Sequence, residues 1–229
     1  MYTVHEIKEA IRQLSTLERE SIATWLGDAE IRRGVAEAVP AYSDKPASPF
    51  LSIKEYLEFE KSTDIRHEYV AGRIYAMPGV AEPHVHIVGN LQAAFHAHLR
   101  GGPCRVYFEA FKLSLKTGED DLFYYPDLMV KCGREGITTY YLQEPKLVIE
   151  VLSPSTERID RREKAFSYHQ IAALEEYVLV AQDRPYIEFQ RRAENWRPTI
   201  ATSLDSVATF RSIDLSLPLR QIYEDVPTT

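Results

Sequence analysis

The sequence predicts an α/β (α+β) domain built on a mixed β-sheet, with a separate helical segment in front of it. Three observations carry this reading. Segments of strand length, rich in β-branched and aromatic residues, recur from Arg66 to the stretch YIEFQRR. Helical periodicity interrupts them twice, over Glu82–Gly101 and from Arg158 to about Ile171. The ten residues PAYSDKPASP, Pro40–Pro49, hold three prolines and two serines and read as a linker. The resulting order (helix, strands, helix, strands) is that of helices packed on a mixed sheet.

Residues 1–40 read as a helical hairpin. Thr3 with Glu6 and Ser15 with Glu18 have the spacing of N-terminal capping boxes. Ile7, Ile11 and Leu14 form one apolar stripe, and Ile22, Trp25, Leu26 and Ala29 another. With seven acidic and five basic residues this segment is no basic DNA-reading arm, and its stripes suit packing on the main domain or on a protein partner. After the linker, residues 41–50, the main domain is expected over 51–229. It opens with a short helix capped by Ser52 and Glu55. RHEYVAGRIYAMPG, Arg66–Gly79, reads as two strands turning at Ala71-Gly72. Glu82-Pro83 begins a helix in which Val85, Val88, Gln92, Phe95 and Leu99 keep helical spacing. Strand-like runs follow at Arg105–Leu115, Tyr124–Val130 and Leu147–Leu152. Then come the helix from Arg158, the strands EYVLVA and YIEFQRR, and a polar tail punctuated by proline.

The composition is that of an ordinary globular protein, 45% hydrophobic and 27% charged. A net charge of −7 argues against non-specific coating of nucleic acid, while leaving room for a local basic patch. No apolar run approaches membrane-spanning length, and the first residues lack the apolar core of a signal peptide. Cys104 and Cys132 have no metal-binding or redox spacing, so they read as reduced thiols of a cytoplasmic protein.

Two carboxylates stand out against apolar surroundings. LVIEVL, Leu147–Leu152, is apolar except for Glu150, and a buried ionised carboxylate is costly unless it is paired or binds a cation. FYYPDLMV places Asp127 after Pro126, at the start of another apolar strand. If the two strands are neighbours, the acids converge, and oxygen ligands of this kind suit Mg²⁺ or Mn²⁺. Alternation puts Glu150 on one face with Val148 and Leu152, and the Val151 carbonyl offers a third ligand. The next helix carries Arg158, Arg161, Arg162 and Lys164 among acids, with Asp160 and Lys164 four apart on one face.

Pro126-Asp127 followed by Glu150-Val151 resembles the PD-(D/E)XK nuclease pattern. The fuller set HEYVAGRIYAMPG, YPDLMV, EVLSPST, DRREKAFSY and EEYVLV resembles the Uma-two family within that superfamily, over about residues 51–195. The resemblance implies a restriction-endonuclease-like core, a central mixed sheet flanked by helices, and metal-dependent phosphodiester hydrolysis. The superfamily's usual lysine position, two after the acid, is Leu152 here. The family's lysine lies on the next helix, where Lys164 matches, and Glu68 matches an acidic position near the metal.

The expected chemistry is therefore a DNA endonuclease with Mg²⁺ (or Mn²⁺) held by Asp127, Glu150 and the Val151 carbonyl. Lys164 supports the transition state, and Glu68 stands beside the metal. This reading accommodates a homodimer. The first alternative is a nuclease-fold binding or regulatory module with weak or lost activity; the second is a metal-free two-carboxylate hydrolase such as a glycosidase. His84, His86, His96 and His98 form two HxH pairs, but residues two apart on a helix diverge, so neither pair chelates one ion. Ser153 and Ser155 lie in no nucleophile elbow and read as a strand-to-helix turn.

Overall fold

The computed structural model describes residues 50–108 and 110–227. The expected helical hairpin over 1–40, and the linker up to residue 49, lie outside these residues. Helix α1 (Ile53–Ser62) begins as the sequence predicts: the Ser52 hydroxyl accepts from the Glu55 N–H, and the Glu55 carboxylate accepts from the Ser52 N–H. Strands β1 (His67–Val70) and β2 (Arg73–Ala76) form the predicted hairpin, turning through Ala71 and Gly72. Both turn residues have positive φ, 49° and 88°, which glycine accepts without strain at the second position. Helix α2 spans Glu82–Leu99 with Pro83 in its first turn.

The apolar runs Arg105–Leu115 and Tyr124–Val130 are each divided between two strands rather than forming one apiece. The chain gives β3 (Cys104–Phe108), β4 (Lys112–Thr117), β5 (Asp120–Tyr124) and β6 (Leu128–Cys132). Both breaks occur where the chain passes from one sheet to another. The second contains Pro126, which has no N–H to donate to a ladder. After the short β7 (Tyr141–Leu142) comes β8 (Leu147–Leu152), with the bounds the sequence predicts. The next helical stretch has three parts: α3 (Glu157–Ile159), a π-helical turn (Asp160–Lys164) and α4 (Ala165–Tyr168). Strands β9 (Glu176–Ala181), β10 (Ile187–Arg191) and β11 (Pro198–Ala201) follow, then β12 (Val207–Phe210), β13 (Leu215–Pro218) and α5 (Leu219–Ile222).

The strands make a five-stranded sheet in the order β2-β1-β5-β4-β7, a six-stranded sheet in the order β11-β10-β9-β8-β6-β3, and the pair β12-β13. Both large sheets are mixed, since β4 runs parallel to β7 and β8 parallel to β9 among antiparallel neighbours. Side-chain alternation sorts the core into three layers. In β5, Phe123 turns toward Tyr56 of α1, while Leu122 and Tyr124 turn toward the six-stranded sheet. In β8, Val148 and Leu152 face the five-stranded sheet, while Leu147, Ile149 and Val151 face α2. All six residues of β8 are buried, so its side chains must be satisfied inside the protein.

The C-terminal stretch is more than a polar tail. Ala208, Phe210, Leu217, Leu219 and Ile222 pack with Ile87, Leu91 and Phe95 of α2 on the outer face of the six-stranded sheet. Its elements are too short, and its apolar residues too scattered, for periodicity to reveal them. Phe210 is fully buried, and its ring meets those of Phe95 and Phe189 at 4.8 and 5.3 Å. Phe210→Ala is expected to destabilise the protein by about 3–5 kcal/mol. Chemical denaturation checks this, and an unchanged midpoint would show that the tail is not part of the core.

The two cysteines correct a further expectation. Cys104 and Cys132 are direct register partners across β3 and β6 and are joined as a disulfide, with their Cα atoms 3.9 Å apart. They are 28 residues apart in sequence, so only strand pairing brings the sulfurs together. Joined in this way they are not the reduced thiols on which the cytoplasmic expectation rested. Among the described residues, no helix is long and apolar enough to cross a membrane.

Candidate functional site

Four segments deliver the site. The antiparallel register of β6 on β8 pairs Leu128 with Ile149, so the next rung sets Asp127 beside Glu150. Asp127 lies one residue ahead of β6, in the crossover from the five-stranded sheet, rather than within the strand. That position leaves its carboxylate free to bridge. Oδ2 accepts from the Val151 N–H at 2.6 Å, and Oδ1 lies 3.0 Å from Nε2 of His84. The Asp127 N–H in turn points to Glu150 Oε2 at 3.4 Å. Glu68, on β1, faces away from Tyr69 and α1, and so reaches the space between the two sheets.

Lys164 arrives from the π turn. The chain first leaves β8 through the turn Ser153–Thr156, where the Ser153 hydroxyl takes the Thr156 N–H at 3.2 Å, while the helix after it has Thr156 at its N-cap with no side-chain cap. The π turn then carries Asp160 and Lys164 inward together, at 2% and 5% exposure, while Arg158 and Arg162 stay outside. Widened turns of this type recur at functional sites. The Lys164 ammonium lies 3.0 Å from Glu68, 3.2 Å from Glu150 and 3.2 Å from Asp160. The Tyr168 hydroxyl, one turn further on, donates to the same Glu150 oxygen at 2.9 Å.

The charge balance of this cluster is uneven. One ammonium faces three buried carboxylates, with Asp127 next to them. Burial pushes Glu150 well above the usual carboxylate range; the Lys164 charge opposes this, and Asp160, Asp127 and Glu68 add to it. Asp160 is raised as well, chiefly by burial and against the pull of Lys164. For Lys164, burial favours the neutral amine, but Glu150, Glu68 and Asp160 override it and hold the ammonium charged well above its ordinary range. Burial, followed by the Glu150 charge, keeps Tyr168 a neutral donor.

A cleft of about 220 Å³ opens onto the cluster. His84, Asp127, Glu150, Val151, Asp160 and Lys164 line it from the protein side, and Met77–Ala81 with Ser153–Thr156 form its mouth. Glu68, Asp127, Glu150 and Lys164, the four residues singled out in the sequence, therefore stand together. Asp160 and Tyr168 belong to the same constellation. Asp160 was legible only as the residue one turn before Lys164, and Tyr168 as one tyrosine among fourteen. His84 touches Asp127, whereas His86 is 40% exposed beside Glu82, as their two-residue spacing requires. Among the described residues, no three His, Cys, Asp or Glu side chains are arranged to enclose a metal ion by themselves.

Residues 53–220 match the Uma2 family, described as "Putative restriction endonuclease". This chain belongs to the Uma2 family. It is 34% identical over 183 residues to the uncharacterized protein slr1290 of Synechocystis sp., a match covering 78% of this chain and 95% of that one. The uncharacterized protein sll1609 of the same organism is 27% identical over 135 residues, covering 58% of this chain and 75% of its own length. The fold is similar to the crystal structure of a putative nuclease belonging to DUF820 from Anabaena variabilis, with a TM-score of 0.63 and 17% identity. That similarity covers 76% of this chain and 97% of the other. The restriction-endonuclease-like fold expected from the sequence is the fold of this Uma2 protein.

Proposed function

We propose that this Uma2 protein is a divalent-cation-dependent phosphodiesterase that cleaves DNA. The observation that carries the reading is convergence: Asp127, Glu150 and Lys164 line one cleft, and Glu68 meets Lys164 behind it, the four arriving from separate segments of two sheets and a helix. The donor set fits Mg²⁺ or Mn²⁺, because the buried carboxylates outnumber the ammonium and a divalent ion supplies the missing positive charge. Asp127 and Glu150 would hold it, with the Val151 carbonyl and water completing the oxygen shell. Bound there, the ion would acidify a water and act as a Lewis acid toward a phosphoryl oxygen.

The remaining work falls to the chain's own groups. His84 and the Val151 N–H fix both oxygens of Asp127. Tyr168 fixes one oxygen of Glu150. The Lys164 ammonium neutralises charge that develops on the phosphoryl oxygens as the water oxygen bonds to phosphorus and the ester oxygen departs. Glu68 holds that ammonium in place, buried beside the cleft.

The binding-module alternative draws on the net charge of −7, on the acidic balance of residues 1–40 and on the lack of a three-residue metal cage among the described residues. Incubation of the purified protein with DNA and RNA panels in Mg²⁺, Mn²⁺ or EDTA separates the readings. The expected result is cation-dependent DNA cleavage that EDTA abolishes. Binding without cleavage in either metal favours the module, and cleavage that persists in EDTA excludes the cation site.

A further inference from the structure

We infer that Glu68, Glu150 and Asp160 form a cation position filled by the protein's own Lys164 ammonium, and that a divalent ion and Lys164 compete for Glu150. An ammonium carries three N–H bonds. Three carboxylate oxygens, from Glu68, Glu150 and Asp160, surround it at 3.0, 3.2 and 3.2 Å. The ammonium is thus enclosed by acids of the protein, donating a hydrogen bond to Glu150 and ion-paired with Glu68 and Asp160, so its charge is already engaged before any phosphoryl oxygen arrives. The cluster is buried, with Glu68 at 1%, Asp160 at 2%, Glu150 at 3% and Lys164 at 5% exposure, so water does little to screen it.

Two details favour exchange over a permanent structural tie. Asp160 lines the cleft, and its buried Oδ1 accepts no hydrogen bond and has only the ion pair with Lys164. Glu150 is shared: Oε1 holds Lys164 and Tyr168, while Oε2 lies 3.4 Å from the Asp127 N–H, on the side where a cation would sit. A divalent ion drawing on Glu150 weakens that acid's hold on the ammonium. One N–H of Lys164 is then released toward the cleft. The lysine becomes available to substrate only when the cation has arrived, so cation loading and transition-state support are coupled.

This inference rests on the cation-dependent reading above, and a single titration distinguishes failure of one from failure of both. Mn²⁺ is titrated calorimetrically into the metal-free full-length wild type and into Lys164→Met, with circular dichroism recorded in parallel. Removal of the competing ammonium is expected to tighten Mn²⁺ binding by roughly tenfold or more. Binding by the variant alone, with a silent wild type, also supports the competition. If metal-free Lys164→Met does not fold, because three buried acids are left without a counter-charge, Mn²⁺ is expected to restore the wild-type spectrum. A wild type that binds Mn²⁺ with a variant that binds no more tightly overturns the exchange and leaves the cation site standing. An unfolded variant unresponsive to Mn²⁺ overturns the exchange too, and absence of binding in both proteins overturns exchange and cation site together.

Discussion

Asp127→Asn is expected to take Mn²⁺ binding below calorimetric detection and to cut DNA cleavage by about a thousandfold or more, about 4 kcal/mol of transition-state stabilisation. Asparagine is the informative replacement because of the contacts the aspartate makes. Its Oδ2 accepts the Val151 N–H at 2.6 Å, and alanine would leave that donor without its partner. An orphaned buried donor costs about 1–3 kcal/mol, which would confuse a binding defect with a folding defect. The amide oxygen of asparagine keeps the Val151 contact while the charge is lost. Glu150→Gln makes the matching change on the neighbouring strand and preserves an acceptor for Tyr168. Both variants are expected to melt no earlier than wild type in EDTA, since each removes one of several crowded negative charges. Undiminished Mn²⁺ affinity in both would exclude these two acids as the cation site.

The legible part of this site was the part that breaks a local rule. Glu150 interrupts an apolar strand, and the structure buries it on the same face as Val148 and Leu152, where alternation puts it. Asp127 was legible through Pro126, although the proline also ends β5 and moves the acid out of the strand into the crossover. Such residues conflict with their surroundings, and the conflict itself points to function. Asp160, Tyr168 and the contact made by His84 conflict with nothing nearby in sequence. Asp160 looks like one charge on a salt-bridged helix, and only the π turn directs it inward beside Lys164. His84 meets Asp127 across 43 residues, and Cys104 meets Cys132 across 28. Contacts of that range depend on strand order, and strand order is where a single sequence says least. The C-terminal elements were hidden for another reason. Four-residue strands such as β12 and β13 carry too few turns of any period to stand out, yet Phe210 and Leu219 are fully buried.

Lys164→Ala is expected to lower turnover by roughly a hundredfold or more, about 3 kcal/mol, on any DNA substrate that the wild type cleaves. The superfamily's usual lysine position is occupied by Leu152, whose side chain lies in the apolar core between the sheets. Lys164 is the cation that reaches the same carboxylates by another route, from the helical stretch after β8. Its three acidic neighbours hold it at the floor of the cleft, so alanine removes a positioned charge rather than a mobile surface one. The loss should fall on kcat with little change in KM, because the charge it offsets develops only as the ester bond breaks. The sequence alone leads one to expect unchanged cation affinity in this variant, whereas the shared hold on Glu150 leads one to expect tighter binding. Lower turnover at higher cation affinity is thus the pattern to look for, and a metal ligand would show lower turnover with lower affinity. Arg162, exposed on the same helical stretch, is the control, and Arg162→Ala should leave the rate close to wild type. If Lys164→Ala turns over at the wild-type rate while Asp127→Asn is dead, the ammonium serves folding alone and the chemistry belongs to the carboxylates and their cation.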